Sequence, residues 1–72
     1  MKIYVTFGQV HEHSISGKTL DKDSVACFEA EDESSGRDKA FEMFGAKFAR
    51  LYAGRLPSAD FMGWFPRGII DI

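Results

Sequence analysis

The sequence predicts a small α+β domain with one main helix packed on one face of an antiparallel sheet. Short segments near both chain ends alternate apolar and polar residues, which is typical of strands with one buried face. Between them, Ala40, Phe41, Phe44 and Phe48 recur at the spacing of one helix face. We therefore expect a single domain over residues 1–72, with the order strand, strand, helix, strand, strand.

Residues 2–10 are expected to form the first strand, because Ile3, Val5 and Phe7 alternate with more polar side chains. Gly8 lies inside this run, and a glycine within a strand often marks a bulge. A one-residue bulge reverses the facing of the side chains after it. The direction in which the residues after Gly8 point therefore stays open.

Two polar bends follow, at residues 16–18 and 21–23, and the segment between them either extends a hairpin arm or forms a loop. Residues 24–30 are expected to form the second strand. Antiparallel pairing with the first strand is predicted, because the connection is short and includes no crossover helix.

The helix is expected to begin near residue 33, where Asp32 or Ser34 can accept hydrogen bonds from the free amides of the first turn. Gly45 leaves two alternatives for the other end. If the helix runs through Gly45, the apolar stripe continues into one helix of roughly 20 residues. If Gly45 ends the helix, residues 47–53 become the third strand.

The remaining chain is expected to be irregular over residues 56–59 and then to form one helical turn around Phe61 and Trp64, with Ser58 as its cap. Residues 68–72 are expected to form the last strand. Its isoleucines need pairing within the sheet, because an exposed apolar edge promotes aggregation.

The composition indicates a compact domain without disulfides. Hydrophobic residues make up 44% and aromatic residues 14% of the chain, which is too much for a disordered segment. Cys27 is the one cysteine, so it forms no internal disulfide. The sequence has no signal-peptide pattern and no membrane-spanning run, so a cytoplasmic location is expected. In so short a chain, docking on a partner or forming a homodimer would bury further surface.

The net charge of −2 disfavours a general nucleic-acid binder, which normally has a clear basic excess. The charge is nevertheless uneven along the chain, and the last part is locally basic. It holds Lys47, Arg50, Arg55 and Arg67 against Asp60 and Asp71. Tyr4, Tyr52 and Arg50 could also form a stacking surface for single-stranded nucleic acid, so nucleic-acid binding is the alternative function.

His11 and His13 are the candidates for metal binding. On an extended segment, their imidazoles would project from the same face about 7 Å apart. A stable zinc site generally needs three or four protein ligands, and no further ligand lies at a recognisable spacing. Histidines of a polar surface or of a hairpin loop are the simpler interpretation, so no metal and no other cofactor is predicted. Cys27 lies within an apolar strand, which is typical of a packed thiol. We therefore predict no catalytic residues and no enzymatic activity.

Phe61, Trp64 and Phe65 lie next to Arg67, and this cluster has two interpretations. Aromatic residues beside an arginine are typical anchors of protein interfaces. The same residues would also fill the core of a small domain. The sequence leaves both interpretations open.

Several motifs of this sequence resemble a group of short uncharacterised proteins encoded by bacteriophages and prophages. They are the opening Met-Lys-Ile-Tyr-Val-Thr-Phe-Gly-Gln with His11 and His13, Gly-Lys-Thr at residues 17–19, Asp-Lys-Asp at residues 21–23, and Phe-Pro-Arg-Gly-Ile-Ile at residues 65–70. The likeness covers both ends of the chain and weakens over residues 50–58. In such proteins the segment after the helix is strand-like, which favours a helix end at Gly45. Ala46, Ala49 and Arg50 depart from that pattern and keep the longer helix as an alternative.

The resemblance implies a small accessory protein of a mobile element. Many such proteins bind and block a host protein, including CRISPR and other defence complexes. We therefore expect a protein partner, with nucleic acid as the alternative. The residues expected to contact the partner are His11, His13, Arg50, Trp64, Phe65 and Arg67.

Overall fold

The computed structural model describes residues 1–58 and 60–72. Within them, the elements in chain order are β1 (Lys2–Thr6), β2 (His13–Ile15), β3 (Lys18–Leu20), β4 (Ser24–Glu29), the helix α1 (Glu33–Phe44), β5 (Arg50–Ala53), the 3-10 helix η1 (Phe61–Trp64) and β6 (Gly68–Asp71). The predicted α+β class is confirmed.

The main sheet has four strands in the order β5-β1-β4-β6, and β2 and β3 form a separate two-stranded sheet. β1 pairs antiparallel with both β4 and β5, as predicted for β4. β6, however, pairs parallel with β4, so the sheet is mixed and not wholly antiparallel. Parallel strands need a long connection, and the chain between β5 and β6 provides one by crossing the sheet.

β1 ends at Thr6, so the prediction of a strand over residues 2–10 is wrong at its C-terminal end. Gly8 has a φ of 68°, a left-handed conformation that glycine adopts without strain. The chain turns there and leaves the sheet before it enters β2. His11 consequently lies in a loop, so the condition under which both imidazoles would share one face of an extended segment is not met.

The segment between the two polar bends forms a hairpin, with His13 opposite Leu20 and Ile15 opposite Lys18. Leu20 is fully buried and Ile15 packs against the main core. The hairpin therefore covers part of the sheet next to α1.

The helix begins as predicted, with Asp32 as its N-cap. The Asp32 side chain accepts from the Ser35 amide at 2.8 Å, and the Ser35 hydroxyl oxygen accepts from the Asp32 amide at 3.3 Å, a capping box. The helix ends at Gly45, whose φ is 63°. The break at Gly45 and the strand after it are confirmed, although β5 is shorter than the predicted residues 47–53.

One face of the main sheet, which we call the helix face, carries the core. Ile3, Val5 and Phe7 from β1 and the residue after it are fully buried there, next to Ala40 and Phe44 of α1. The predicted apolar stripe is thus confirmed in part. Phe41 is 49% exposed, and Phe48 lies beyond the helix and packs on the rings of Phe41 and Phe44.

The other face, which we call the far face, is covered by the chain between β5 and β6. Tyr52 on β5 contacts Phe61 of η1, and the Arg67 amide donates to the Asp23 carbonyl at 2.9 Å near the start of β4. Val25 is fully buried on this face. The crossing segment therefore shields the sheet on the side opposite α1.

The predicted helical turn is confirmed as η1, but its cap is not as expected. Asp60 precedes η1 without a side-chain cap bond, and Ser58 contributes its carbonyl, which accepts from the Phe61 amide at 3.3 Å. Of the predicted irregular segment 56–59, Ala59 lies outside the described residues.

Candidate functional site

An aromatic cluster lies on the far face of the sheet. The rings of Tyr52 and Phe61 meet edge to face with centroids 5.3 Å apart, and those of Phe61 and Phe65 are 4.9 Å apart. Alternation along β5 directs Tyr52 to this face, and η1 supplies Phe61. Each such ring pair contributes about 0.5–1.5 kcal/mol beyond its buried area. The cluster therefore attaches η1 to the sheet.

This cluster borders an open groove of about 280 Å³, which we call the aromatic groove. It is lined by Thr6, Gly8, Gln9, Lys22, Ala49, Arg50, Tyr52, Phe61, Trp64 and Phe65. Trp64 is 78% exposed, although indole is among the largest apolar side chains. An exposed tryptophan at the edge of a groove is the type of side chain that anchors binding partners.

The aromatic groove carries two cations. Arg50 is exposed and makes no ion pair with the described residues. Lys22 is paired with Asp23, with 3.4 Å between the lysine nitrogen and the carboxylate; Lys22 is exposed and Asp23 is partly exposed. Exposed pairs of this kind contribute about 0–1 kcal/mol, so Lys22 can exchange its partner at little cost. The groove is suited to a partner with an aromatic or apolar group next to a negative charge.

The aromatic groove thus brings Arg50 together with Trp64 and Phe65, which lie on a different segment of the chain. Tyr4 joins them on the same face, since it lies directly opposite Tyr52 in the pairing of β1 with β5. The three residues proposed for nucleic-acid stacking, Tyr4, Tyr52 and Arg50, therefore also share the far face.

His13 lies elsewhere, in a packed position on the helix face. Its ring is 5.5 Å from the ring of Phe7 and 4.9 Å from that of Phe44. Its Nε2 forms a hydrogen bond of 2.6 Å with the Lys47 carbonyl. These contacts join the hairpin to the loop after α1, so the structure gives His13 a packing role in place of the predicted surface position.

His11 lies in a separate, smaller depression of about 140 Å³ that also includes Glu12 and Asp21. Within residues 1–58 and 60–72, no three His, Cys, Asp or Glu side chains come together in a way that could hold a metal ion. The structure thus places His11 and His13 in different surroundings.

Arg67 has a structural position too. Its Nη1 donates to the Thr19 carbonyl at 2.8 Å and lies 3.1 Å from the Asp21 carboxylate. These bonds join the end of the crossing segment to β3 and the bend after it. Although Arg67 was expected to accompany the aromatic residues, it does not line the aromatic groove.

Cys27 lies on the far face of β4 and is 3% exposed. Burial, the largest cause, raises the pKa of its thiol; the Lys2 ammonium opposes this shift and the Asp71 carboxylate adds to it. A protonated, shielded thiol is a weak nucleophile. The structure thus places Cys27 in the packing of the sheet.

Sequence reasoning did not include Lys22 and Gln9 in the site. Lys22 lies in a polar bend and Gln9 in the turn after β1, and nothing local relates either of them to Arg50 or Trp64. The sequence predicted a binding role for Tyr52 only in the stacking of single-stranded nucleic acid. The alternation of Arg50 and Tyr52 along β5 was the available signal, because it places both on one face.

Comparison with protein-family models, with curated proteins and with solved structures finds no match to this chain. Among the residues that the structure describes, no helix is long and apolar enough to cross a membrane.

Proposed function

We propose that this chain is a non-enzymatic binding domain of phage or prophage origin that acts by occupying a surface of a host protein. The observation that supports this is the exposed Trp64 beside Arg50 at the aromatic groove. Tryptophan and arginine are the residues most enriched among the energetic anchors of protein interfaces. The phage origin and a target among CRISPR or other defence complexes rest on the resemblance of the chain ends.

The contact surface can be tested by affinity capture from a bacterial lysate. We expect the immobilised chain to retain a specific host protein, and Trp64→Ala and Arg50→Ala each to weaken that retention at least about tenfold, since hot-spot truncations cost about 2 kcal/mol or more. Phe41→Ala is the matched control, because it removes an exposed aromatic ring from α1 on the opposite side of the sheet.

Two results would contradict this proposal. One is equal capture by the wild-type chain and by both groove variants. The other is recovery of nucleic acid alone, with no protein that depends on Trp64.

Single-stranded nucleic acid is the second candidate ligand, because Tyr4, Tyr52 and Arg50 share the far face beside Trp64. Bases stack on such aromatic platforms, and cations neutralise the phosphates. If Arg50 and Lys22 each neutralise one phosphate, the affinity for a labelled single-stranded oligonucleotide should fall about sevenfold between 50 and 200 mM salt. If the affinity for the oligonucleotide changes neither with the salt concentration nor with Arg50→Ala, this candidate is excluded.

A further inference from the structure

The strand at one end of the main sheet, β5, has an open edge. Gly54 donates its amide to the Lys2 carbonyl at 2.8 Å, and Tyr52 lies opposite Tyr4. The direction of the backbone groups alternates along an antiparallel strand, so Leu51 and Ala53 direct their amides and carbonyls away from β1. Within residues 1–58 and 60–72, no strand lies on that side and no backbone group pairs with these two residues.

The opposite edge of the sheet carries a lysine near its end. β6 is the other outer strand, and the Lys18 side chain donates to the carbonyl of Asp71. A lysine placed against an edge is a common way to prevent further strand pairing. The β5 edge instead opens into a groove of about 570 Å³, which we call the edge groove. Two arginines flank β5: Arg50 begins the strand and lines the aromatic groove, and Arg55 follows the strand and lines the edge groove.

The charges at the two ends of β5 point to a negatively charged occupant of its open edge. Arg50 and Arg55 are exposed, and neither forms an ion pair with the residues that the structure describes. The carboxylate at the edge groove, Glu33, is already 3.4 Å from the Arg37 guanidinium. A second copy of the chain would bring the arginines of both copies to one seam, where like charges oppose pairing.

We propose that an extended segment of the partner protein pairs with the β5 edge as a fifth strand, with carboxylates that reach Arg50 and Arg55. Main-chain hydrogen bonds to Leu51 and Ala53 would supply affinity, and the two arginines would select acidic side chains about four to five residues apart. Tyr52 lines both grooves, so the same partner could place an anchor on Trp64. This inference rests on the proposed function, since it describes which part of a protein partner binds.

The test uses the full chain and a capped synthetic peptide, Glu-Val-Thr-Val-Thr-Glu, with Lys-Val-Thr-Val-Thr-Lys as the control peptide. Amide hydrogen exchange is followed by NMR. At a peptide concentration ten times its Kd, exchange at Leu51 and Ala53 should slow about tenfold, because it then proceeds from the unbound fraction. The control peptide should leave both amides unprotected.

Two variants separate charge from main-chain pairing. The double variant Arg50→Glu with Arg55→Glu should raise the Kd for the acidic peptide at least about tenfold, as expected for the loss of two charge-assisted contacts. Lys39→Glu is the control on the flank of α1 next to β4, where the lysine amine donates to the Glu29 carbonyl. It is compared with Arg55→Glu alone, which changes the net charge by the same amount. Ala53→Pro removes the outward amide without removing a bond to β1, so it should abolish peptide protection at Leu51.

Three results of the peptide experiment would overturn this inference. They are unchanged exchange at Leu51 and Ala53, equal protection by both peptides, or protection that grows with protein concentration alone and thus indicates pairing between two copies. The inference is also contradicted if an oligonucleotide changes the NMR signals of Trp64 and leaves the Leu51 amide unprotected, while the peptide changes neither. If Trp64→Ala abolishes capture while the edge amides stay unprotected by the captured protein, the proposed function stands and the strand pairing fails.

Discussion

The two histidines of this chain offer a sharp test of the structure, because they lie two residues apart and have different surroundings. His13 packs between Phe7 and Phe44 and bonds to the Lys47 carbonyl. The His11 ring makes no ring contact and no hydrogen bond with the described residues. His13→Ala should therefore destabilise the domain, and His11→Ala should not.

The expected loss can be worked from the contacts of His13. Truncating a fully buried aromatic ring costs about 3–5 kcal/mol, so a half-buried imidazole should cost about half of that. The hydrogen bond to the Lys47 carbonyl adds about 0.5–1.5 kcal/mol. The sum, about 2–4 kcal/mol, compares with about 4–11 kcal/mol for the whole stability of a chain of this length.

Urea unfolding followed by circular dichroism measures this difference directly, and the thermal midpoint should fall by at least about 8 °C for His13→Ala. His11→Ala should stay within about 0.5 kcal/mol of the wild-type chain. His13→Phe keeps a ring and loses only the hydrogen bond, so we expect a loss of about 1 kcal/mol. Equal effects of the two alanine substitutions, or a loss below about 0.5 kcal/mol at His13, would refute the assigned packing. A rise in the thermal midpoint on adding zinc would restore the metal hypothesis.

Three further predictions concern stability. Gly36→Ala should lower the free energy of unfolding by about 1 kcal/mol, because the new Cβ would lie 2.5 Å from the buried Ile3 side chain. Overpacking costs about 1–3 kcal/mol, which exceeds the gain of about 1 kcal/mol in helix propensity. Gly63→Ala, with open space around it, is the control, and a stabilised Gly36→Ala chain would contradict the packing. Because the folded chain holds the pKa of the Cys27 thiol above its usual 9.0, the unfolded chain loses that proton first as the pH rises. The free energy of unfolding should therefore fall above pH 9.0, by at most about 1.4 kcal/mol per pH unit. Urea titrations at several pH values should show a smaller fall per pH unit for Cys27→Ser, and an identical fall in both chains would exclude Cys27 as the cause. Arg67→Ala should cost about 1–2 kcal/mol in the same unfolding assay, since it removes a main-chain hydrogen bond and a partly exposed ion pair. A change below about 0.3 kcal/mol would show that Arg67 does not fasten the crossing segment.

Some errors of the sequence analysis have a common physical origin. The predicted strand over residues 2–10 is too long because the sequence analysis treated Gly8 as a bulge within the strand, whereas its left-handed conformation turns the chain out of the sheet. His13 looked like a polar surface residue, since local sequence does not reveal that Phe7 and Phe44 meet beside it. Residue type alone cannot tell a packed imidazole from an exposed one.

The sequence by itself determined the features that depend on short-range physics. Asp32 caps the helix through bonds within one turn, and the alternation along β1 marks its buried face. These interactions join residues a few positions apart, so their pattern can be read along the chain.

Tertiary structure alone decided which distant residues meet. The connection between β5 and β6 is long enough for either strand direction, and only its path over the far face makes β6 parallel to β4. That same path brings Trp64 beside Arg50 and leaves the edge of β5 open. The candidate binding surface is therefore a product of how the chain crosses the sheet, because contacts between remote segments depend on the whole packing and not on any local pattern.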